Sequence, residues 1–158
     1  MKTCQIVVAG DVMLDRYLIG DTDRLSPEAP VPVVAIHERR SALGGAANVA
    51  ANVTAIGATC LLVGAVGDDQ EGTSLRQELA AAHLDDRYIV TVAGRPTTSK
   101  TRVLARGQQV VRIDEEVDTL LTASETQRLA TALLSALADA DALLLEDYNK
   151  GALTPSFI

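Results

Sequence analysis

Tryptophan is absent from this chain, and aromatic residues of all kinds make up only 3% of its 158 positions. Alanine, valine and leucine dominate the 47% that is apolar, as expected where helices pack closely on a parallel sheet. Cysteine is nearly as scarce. Cys4 and Cys60 sit at or near strand-like runs and belong to no Cys-x-x-Cys, so they read as two buried, reduced thiols rather than a disulfide or metal site. No apolar run approaches the ~18 residues of a membrane span. The run after Lys2 is short and ends in Gly10-Asp11, which is not the layout of a signal peptide. The chain therefore reads as cytoplasmic. Positive charge is in deficit: 14 Lys and Arg face 21 Asp and Glu, a formal net charge of −7. Such a chain is a poor partner for nucleic acid or an anionic membrane, although a local Lys/Arg pair can still hold a phosphorylated small molecule. No Gly-x-Gly-x-x-Gly follows the first strand-like run, which argues against a dinucleotide-binding protein.

What is present suits one α/β domain. Residues 5–9 read as a buried strand. Residues 17–36 contain Pro27, Pro30 and Pro32, which forbid a helix, and residues 31–36 read as an edge strand. Gly44 and Gly45 open a helix that Gly57 ends near Ile56. A strand is predicted over residues 59–66, a turn at Gly67-Asp68-Asp69, and a second helix over 72–83. Residues 88–92, 98–105 and 108–113 are strand-like and broken by Gly94-Arg95-Pro96 and Arg106-Gly107, which suggests a hairpin-rich insert. A third helix is expected over 123–137, with Thr122 and Glu125 as a capping box. Residues 142–145 form a last strand with a loop at 146–151, and Thr154-Pro155 has the pattern of another helix start. This order predicts a doubly wound, mostly parallel sheet carrying a small β-rich lid built from residues 17–36 and 88–113.

Four groups of residues could carry chemistry. Asp11 and Asp15 follow a strand end, where an open α/β sheet places its ligand, although an Asp in a turn also caps backbone. Gly44 and Gly45 before a helix let backbone approach a ligand, and Asn48 and Asn52 share one helix face. Close helix–sheet packing would use the same small residues. Lys100 and Arg102 point the same way on a strand and could grip one phosphate, or form a solvated edge. Lys150 and Asp147 lie in the loop after the last strand. Lys150 could meet a phosphate and Asp147 could orient it or hold a metal through water, and the alternative is an ordinary turn with a salt bridge. His37 and His83 read as surface residues.

The string from Val8 to Val34, with Gly10-Asp11, Asp15 and the Pro-rich Arg24-Leu-Ser-Pro-Glu-Ala-Pro-Val-Pro segment, resembles the opening of the ribokinase-type (PfkB) carbohydrate kinases. Gly44-Gly45 with Asn48 matches that family's first signature. Residues 146–151 resemble its Asp-Tyr-x-Lys-Gly loop, with Glu146 where a small residue is expected. Within the family the chain is most similar to the heptose 7-phosphate kinase domain of the bacterial ADP-heptose synthesis enzyme. The resemblance implies that Asp11 and Asp15 hold sugar hydroxyls, that Gly44, Gly45 and Asn48 line the sugar pocket, and that Lys100, Arg102 and Asp147 contact substrate. It implies a reaction moving the ATP γ-phosphate to the anomeric hydroxyl of D-glycero-D-manno-heptose 7-phosphate, with ATP and Mg2+ as cofactors and none tightly bound here. It further implies a homodimer formed through the lid. Residues 31–36 are apolar on both strand faces, as a lid meeting its twin would be.

The family's second signature, a Gly-Ala-Gly-Asp run supplying an anion hole and a general base, does not occur in these 158 residues, nor does its Asn-x-x-Glu element. The expectation is therefore the N-terminal half of a sugar kinase domain without the nucleotide-binding half, inactive by itself. The rivals are another sugar kinase of the family, or a non-catalytic sugar-binding or dimerising remnant.

Overall fold

The computed structural model describes residues 4–155 and 157–158. Four strands form a parallel sheet: β1 (Gln5–Gly10), β4 (Thr59–Gly67), β5 (Ile89–Val92) and β8 (Ala142–Glu146), in the order β5-β4-β1-β8. The other four form a mixed sheet: β2 (Val12–Leu25), β3 (Pro32–Gly45), β6 (Ser99–Ala105) and β7 (Gln108–Glu115), in the order β3-β2-β6-β7. Within it β2 runs antiparallel to β3 and parallel to β6, and β7 returns antiparallel to β6. Three helices complete the fold: α1 (Ala46–Ala55), α2 (Gln70–Ala81) and α3 (Ala123–Leu137).

Alternation along β1 decides the layering. Val8 points to one face and packs with Ala46, Ala47 and Ala50 of α1 and Leu75 and Leu79 of α2. Val7 and Ala9 point to the other and pack with Leu129, Leu133 and Ala136 of α3. Small residues on α1 let that helix lie close on the strands, the role the alanine-rich composition anticipates. The helices start where side chains satisfy their free N–H groups. Thr122 and Glu125 form the expected capping box on α3. Asp69 accepts from the Gly72 N–H at 2.7 Å, so α2 begins at Gln70, two residues before the predicted start.

The lid boundaries need correction. Residues 88–113 were expected in the lid, but β5 pairs in parallel with β4 at the edge of the main sheet, with Ile89 and Val92 buried. It is the strand that closes a β-α-β crossover after α2. The second sheet takes only Ser99–Glu115 from that region. The first segment, expected over 17–36, spans instead the whole of β2 and β3. The polar stretch His37-Glu38-Arg39-Arg40-Ser41 hides that continuity in the sequence. Those residues belong to a strand open to solvent, where burial imposes no apolar alternation.

The register fixes how the two sheets join. Val12 lies opposite Gly45, Leu14 opposite Ser99, and Ser99 opposite Glu115. All four chain passages between the sheets therefore lie at one end of the second sheet. Its far end is a turn in which the Ser26 N–H donates to the Val31 carbonyl at 2.8 Å. In the main sheet β8 is paired on one side only, and Leu143, Leu144 and Leu145 are 39%, 40% and 42% exposed. None of the described helices is long and apolar enough to cross a membrane. At the chain's last turn the Thr154 carbonyl accepts from the N–H groups of Phe157 and Ile158 at 2.9 and 3.2 Å.

Because Leu129 is fully buried and Leu134 on the same helix is exposed, the two should differ sharply on truncation. Leu129→Ala should cost about 3 kcal/mol and Leu134→Ala less than about 0.5 kcal/mol in urea unfolding. Equal midpoints would contradict the assignment of α3's inner face.

Candidate functional site

One residue, Asp11, separates β1 from β2, and it is buried. Its N–H donates to the Glu146 carbonyl at 3.0 Å and its carbonyl accepts from the Ala46 N–H at 2.9 Å. Its carboxylate faces the loop after β8. Oδ2 accepts from the N–H groups of Tyr148 and Lys150 at 2.9 and 3.0 Å, and Oδ1 accepts from Ala152 N–H at 3.1 Å. Asp11, predicted as a sugar contact, is here the carboxylate that organises this loop through three backbone N–H groups. Gly45 sits directly beneath, with φ of 55°, and a Cβ there would lie 2.3 Å from the Asp11 carbonyl oxygen. Only glycine can start α1 in that position.

The loop so anchored carries Lys150. A residue that sequence reasoning treated as part of a turn, Arg95, braces it from the other side. Its Nη1 donates to the Thr119 carbonyl at 2.9 Å and its Nη2 to the Lys150 carbonyl. The Leu121 N–H adds a bond to the Gly151 carbonyl at 3.1 Å. Lys150 is thus fixed at its backbone, at the carboxyl end of the parallel sheet.

The second sheet presents the other candidates on one face. Register pairs Asp15 with Lys100 and Tyr17 with Arg102, so all four share that face. Arg102 Nη1 donates to Asp15 Oδ1 at 2.5 Å, and its guanidinium lies over the Tyr17 ring at 5.5 Å. The bond from Asp15 raises the pKa of Arg102 against a smaller opposing effect of burial. A Cβ at Gly44 would lie 2.8 Å from both Asp15 Oδ2 and Met13 Cγ, so a side chain there would displace them.

Lys100 and Lys150, distant in sequence, meet on a residue the sequence reading passed over. Glu116 accepts from Lys100 Nζ through Oε2 and from Lys150 Nζ through Oε1, each at 2.8 Å. Lys100 also donates to Asp114 at 3.0 Å, and Asp114 is bound in turn by Arg112 at 2.9 Å. Bonds from the two lysines hold Glu116 below its ordinary pKa. Burial works against the charge on Lys100, but Glu116 and Asp114 outweigh it and raise its pKa. The Asp114-Glu115-Glu116 run was the available signal. As the tail of a strand it gave no sign that it faced two lysines.

Two expected residues stay apart. Asn48 is exposed on α1 and lines a shallow depression with Ser41, Leu43 and Glu78. Asp147 is exposed and accepts only the Asn149 N–H, at 2.7 Å. Among the described residues no group of three His, Cys, Asp or Glu side chains could hold a metal ion. The site therefore combines a carboxylate acceptor, Asp15, with three cations: Arg102 and Lys100 near the start of β6, and Lys150 just past the carboxyl end of β8.

The family model for pfkB family carbohydrate kinases matches residues 4–155. This chain belongs to that family. It is 47% identical over 154 residues to the bifunctional protein HldE of Azorhizobium caulinodans, covering 97% of this chain and 32% of the relative. The chain thus spans about a third of the length of the curated relatives it matches. Among solved structures it resembles Escherichia coli phosphofructokinase-2 in complex with fructose-6-phosphate, with a TM-score of 0.65 and 20% identity over 92% of this chain and 45% of that one. It also resembles Arabidopsis thaliana ribokinase complexed with ribose and ATP, with a TM-score of 0.59 and 18% identity over 92% and 45%. The doubly wound α/β fold with a second sheet is the fold of these kinases.

Two outcomes follow for the anchors of this site. Asp11→Ala orphans three backbone N–H groups and should cost about 3 kcal/mol or more in denaturant unfolding. Wild-type stability would overturn the anchoring role. Asp69 supplies an acid-sensitive term. Burial disfavours its charge, but donors from Thr97 and Gly72 outweigh that and set its pKa below the ordinary 3.8. Its folded value is therefore depressed, so its contribution is present above pH ~4 and lost as pH falls below that. Asp69→Asn should lower stability at pH 7 and flatten the acid limb of a stability–pH curve measured by urea titration.

Proposed function

We propose that this chain is the sugar-phosphate-binding part of a heptose 7-phosphate kinase, an enzyme moving the ATP γ-phosphate to the anomeric hydroxyl of D-glycero-D-manno-heptose 7-phosphate for ADP-heptose and lipopolysaccharide core synthesis. The observation that carries the reading is the meeting of Lys100 and Lys150 on Glu116, with Asp15, a hydroxyl acceptor, paired to Lys100 across the second sheet. Asp15 would accept sugar hydroxyls, held in orientation by Arg102. Lys100 of the second sheet and Lys150 of the loop after β8 would take the 7-phosphate together, so that binding draws the second sheet toward the base. Membership of a family of carbohydrate kinases, a fructose-6-phosphate complex among its structural neighbours and the resemblance of the Gly10-Asp11 opening to heptose kinases support the substrate class.

The chemical step needs a base for the attacking hydroxyl and charge stabilisation around the γ-phosphate. No described residue of this cleft supplies that base. The described residues hold no cluster of three carboxylate, His or Cys side chains for Mg2+, and no step is routed through it. ATP use is supported by the ATP-complexed ribokinase among the structural neighbours. The 158 residues alone should therefore bind sugar phosphate without turning over ATP, since base and anion hole each contribute roughly 10² to 10⁴.

A second copy of the chain is the partner that suits the second sheet. Val110, Val111 and Ile113 of its outermost strand are exposed, as are Leu25 and Val31 at its tip. An isologous contact would cover them.

Titration calorimetry should show heptose 7-phosphate binding to the chain, with Asp15→Asn weakening it about tenfold or more. Unchanged affinity in that variant would remove Asp15 from the site. Heptose-dependent ADP release above a no-protein control would refute the inactivity of these residues alone. Light scattering at high concentration should give a dimer that Val111→Lys disrupts. A monomer throughout would remove the self-association.

A further inference from the structure

The unexpected element of the cleft is an acid between two bases. Glu116 divides its carboxylate evenly, one oxygen to each lysine at 2.8 Å. The lysine side chains are only 17% and 19% exposed and Glu116 is 26% exposed, so these charges are well removed from water. Two cations so placed need an anion, because an uncompensated charge away from water is costly. Asp114 fills that need only in part: it meets Lys100 at 3.0 Å, does not reach Lys150, and is also bound by Nε and Nη2 of Arg112. Taking Asp114 with Arg112 as self-neutralising, two lysines and one glutamate leave a net charge of +1. A phosphate monoester carries about −1.5 to −2 at neutral pH, so it would balance the lysines more fully than a carboxylate does.

The three partners also differ in how firmly the backbone holds them. Lys100 lies in the middle of the second sheet, paired to β2 and β7. Lys150 has its N–H on Asp11 and its carbonyl on Arg95. Glu116 lies just past the end of β7, in a connection with neither strand nor helix. The carboxylate is the member that can leave while both lysines stay.

We propose that Glu116 is a built-in counter-anion that occupies the seat of the substrate's phosphate between Lys100 and Lys150 and is displaced when that phosphate binds. The proposal rests on the sugar-phosphate reading above and adds to it a competition inside the protein. Glu116 keeps the lysines charged and aimed in the empty cleft, and it sets a threshold that only a dianion overcomes. A sugar lacking the phosphate leaves Glu116 in place.

The test compares wild type with Glu116→Gln, which keeps the shape and removes the charge. Both are titrated by calorimetry with inorganic phosphate, heptose 7-phosphate, mannose and ATP at fixed ionic strength. Glu116→Gln should bind inorganic phosphate and heptose 7-phosphate about fivefold tighter or more, with mannose unchanged. Added phosphate should also raise its Tm by more than it raises that of wild type. Equal or weaker phosphate binding by folded Glu116→Gln would overturn the proposal and leave Glu116 a structural tie. Tightening confined to ATP would overturn it too, by giving the seat to a nucleotide. If inorganic phosphate tightens but heptose 7-phosphate binds neither protein, the counter-anion stands and the heptose reading falls. If heptose 7-phosphate binds both proteins equally, the reverse holds. A wild-type crystal grown in phosphate gives a check that needs no variant. The Glu116 carboxylate should have left both lysines, and finding it still on both with phosphate bound elsewhere would refute displacement.

Discussion

Everything at the functional end of this molecule hangs on one buried carboxylate. Asp11 is the single residue between β1 and β2, one strand from each sheet, and its side chain gathers three N–H groups of the loop that follows β8. Three charge-assisted bonds to backbone are strong compared with most surface contacts. They impose a geometry as well as adding stability. With Asp11 in place, the strand end, the start of α1 and the Lys150 loop form one rigid corner. The second sheet leaves from that corner, so Asp15 and Lys100 inherit their position from it. A cleft assembled from two sheets needs such a shared origin, because a loose joint would separate acceptor from cations.

The same logic explains the glycines. Gly45 is tolerated by the Asp11 carbonyl and Gly44 by the Asp15 carboxylate. Neither needs a ligand to account for it, although both leave the helix start and Asp15 open to one. Much of the chain's small-residue signature at this point is thus required by packing before any function is considered.

The centre of the main sheet and the inner faces of its helices were legible because those residues are buried, and burial writes period and composition into sequence. Val7 and Val8, the alanines of α1 and the Thr122–Glu125 box all left marks that could be read in order. The second sheet was harder. Its strands are open on at least one face, so residues 37–41 carry charge without ceasing to be strand, and the extent of β3 could not be seen. β5 was misplaced because a short Ile-Val-Thr-Val run looks alike in a lid and at a core edge. Of the site residues, Asp15, Lys100, Arg102 and Lys150 could be proposed from type and spacing. Glu116 and Arg95 could not, since their importance lies in whom they meet across the fold. Asp11 was found at its strand end, but the three N–H groups it gathers lie more than 130 residues away in the chain and could not be read.

The four passages between the sheets lie along one line at the base of the second sheet, which makes that sheet a lever. β2 has 14 residues, and at about 3.3 Å per residue its tip stands roughly 45 Å from the fulcrum. Tilting the sheet by about 10° would carry the tip about 8 Å while moving Asp15, three residues from the base, by less than about 2 Å. Such a lever has a mechanical advantage that favours the tip: small adjustments among charged groups near the hinge are magnified into large displacements of the exposed apolar end. Whatever grips that end gains leverage over the groups beside the fulcrum in return.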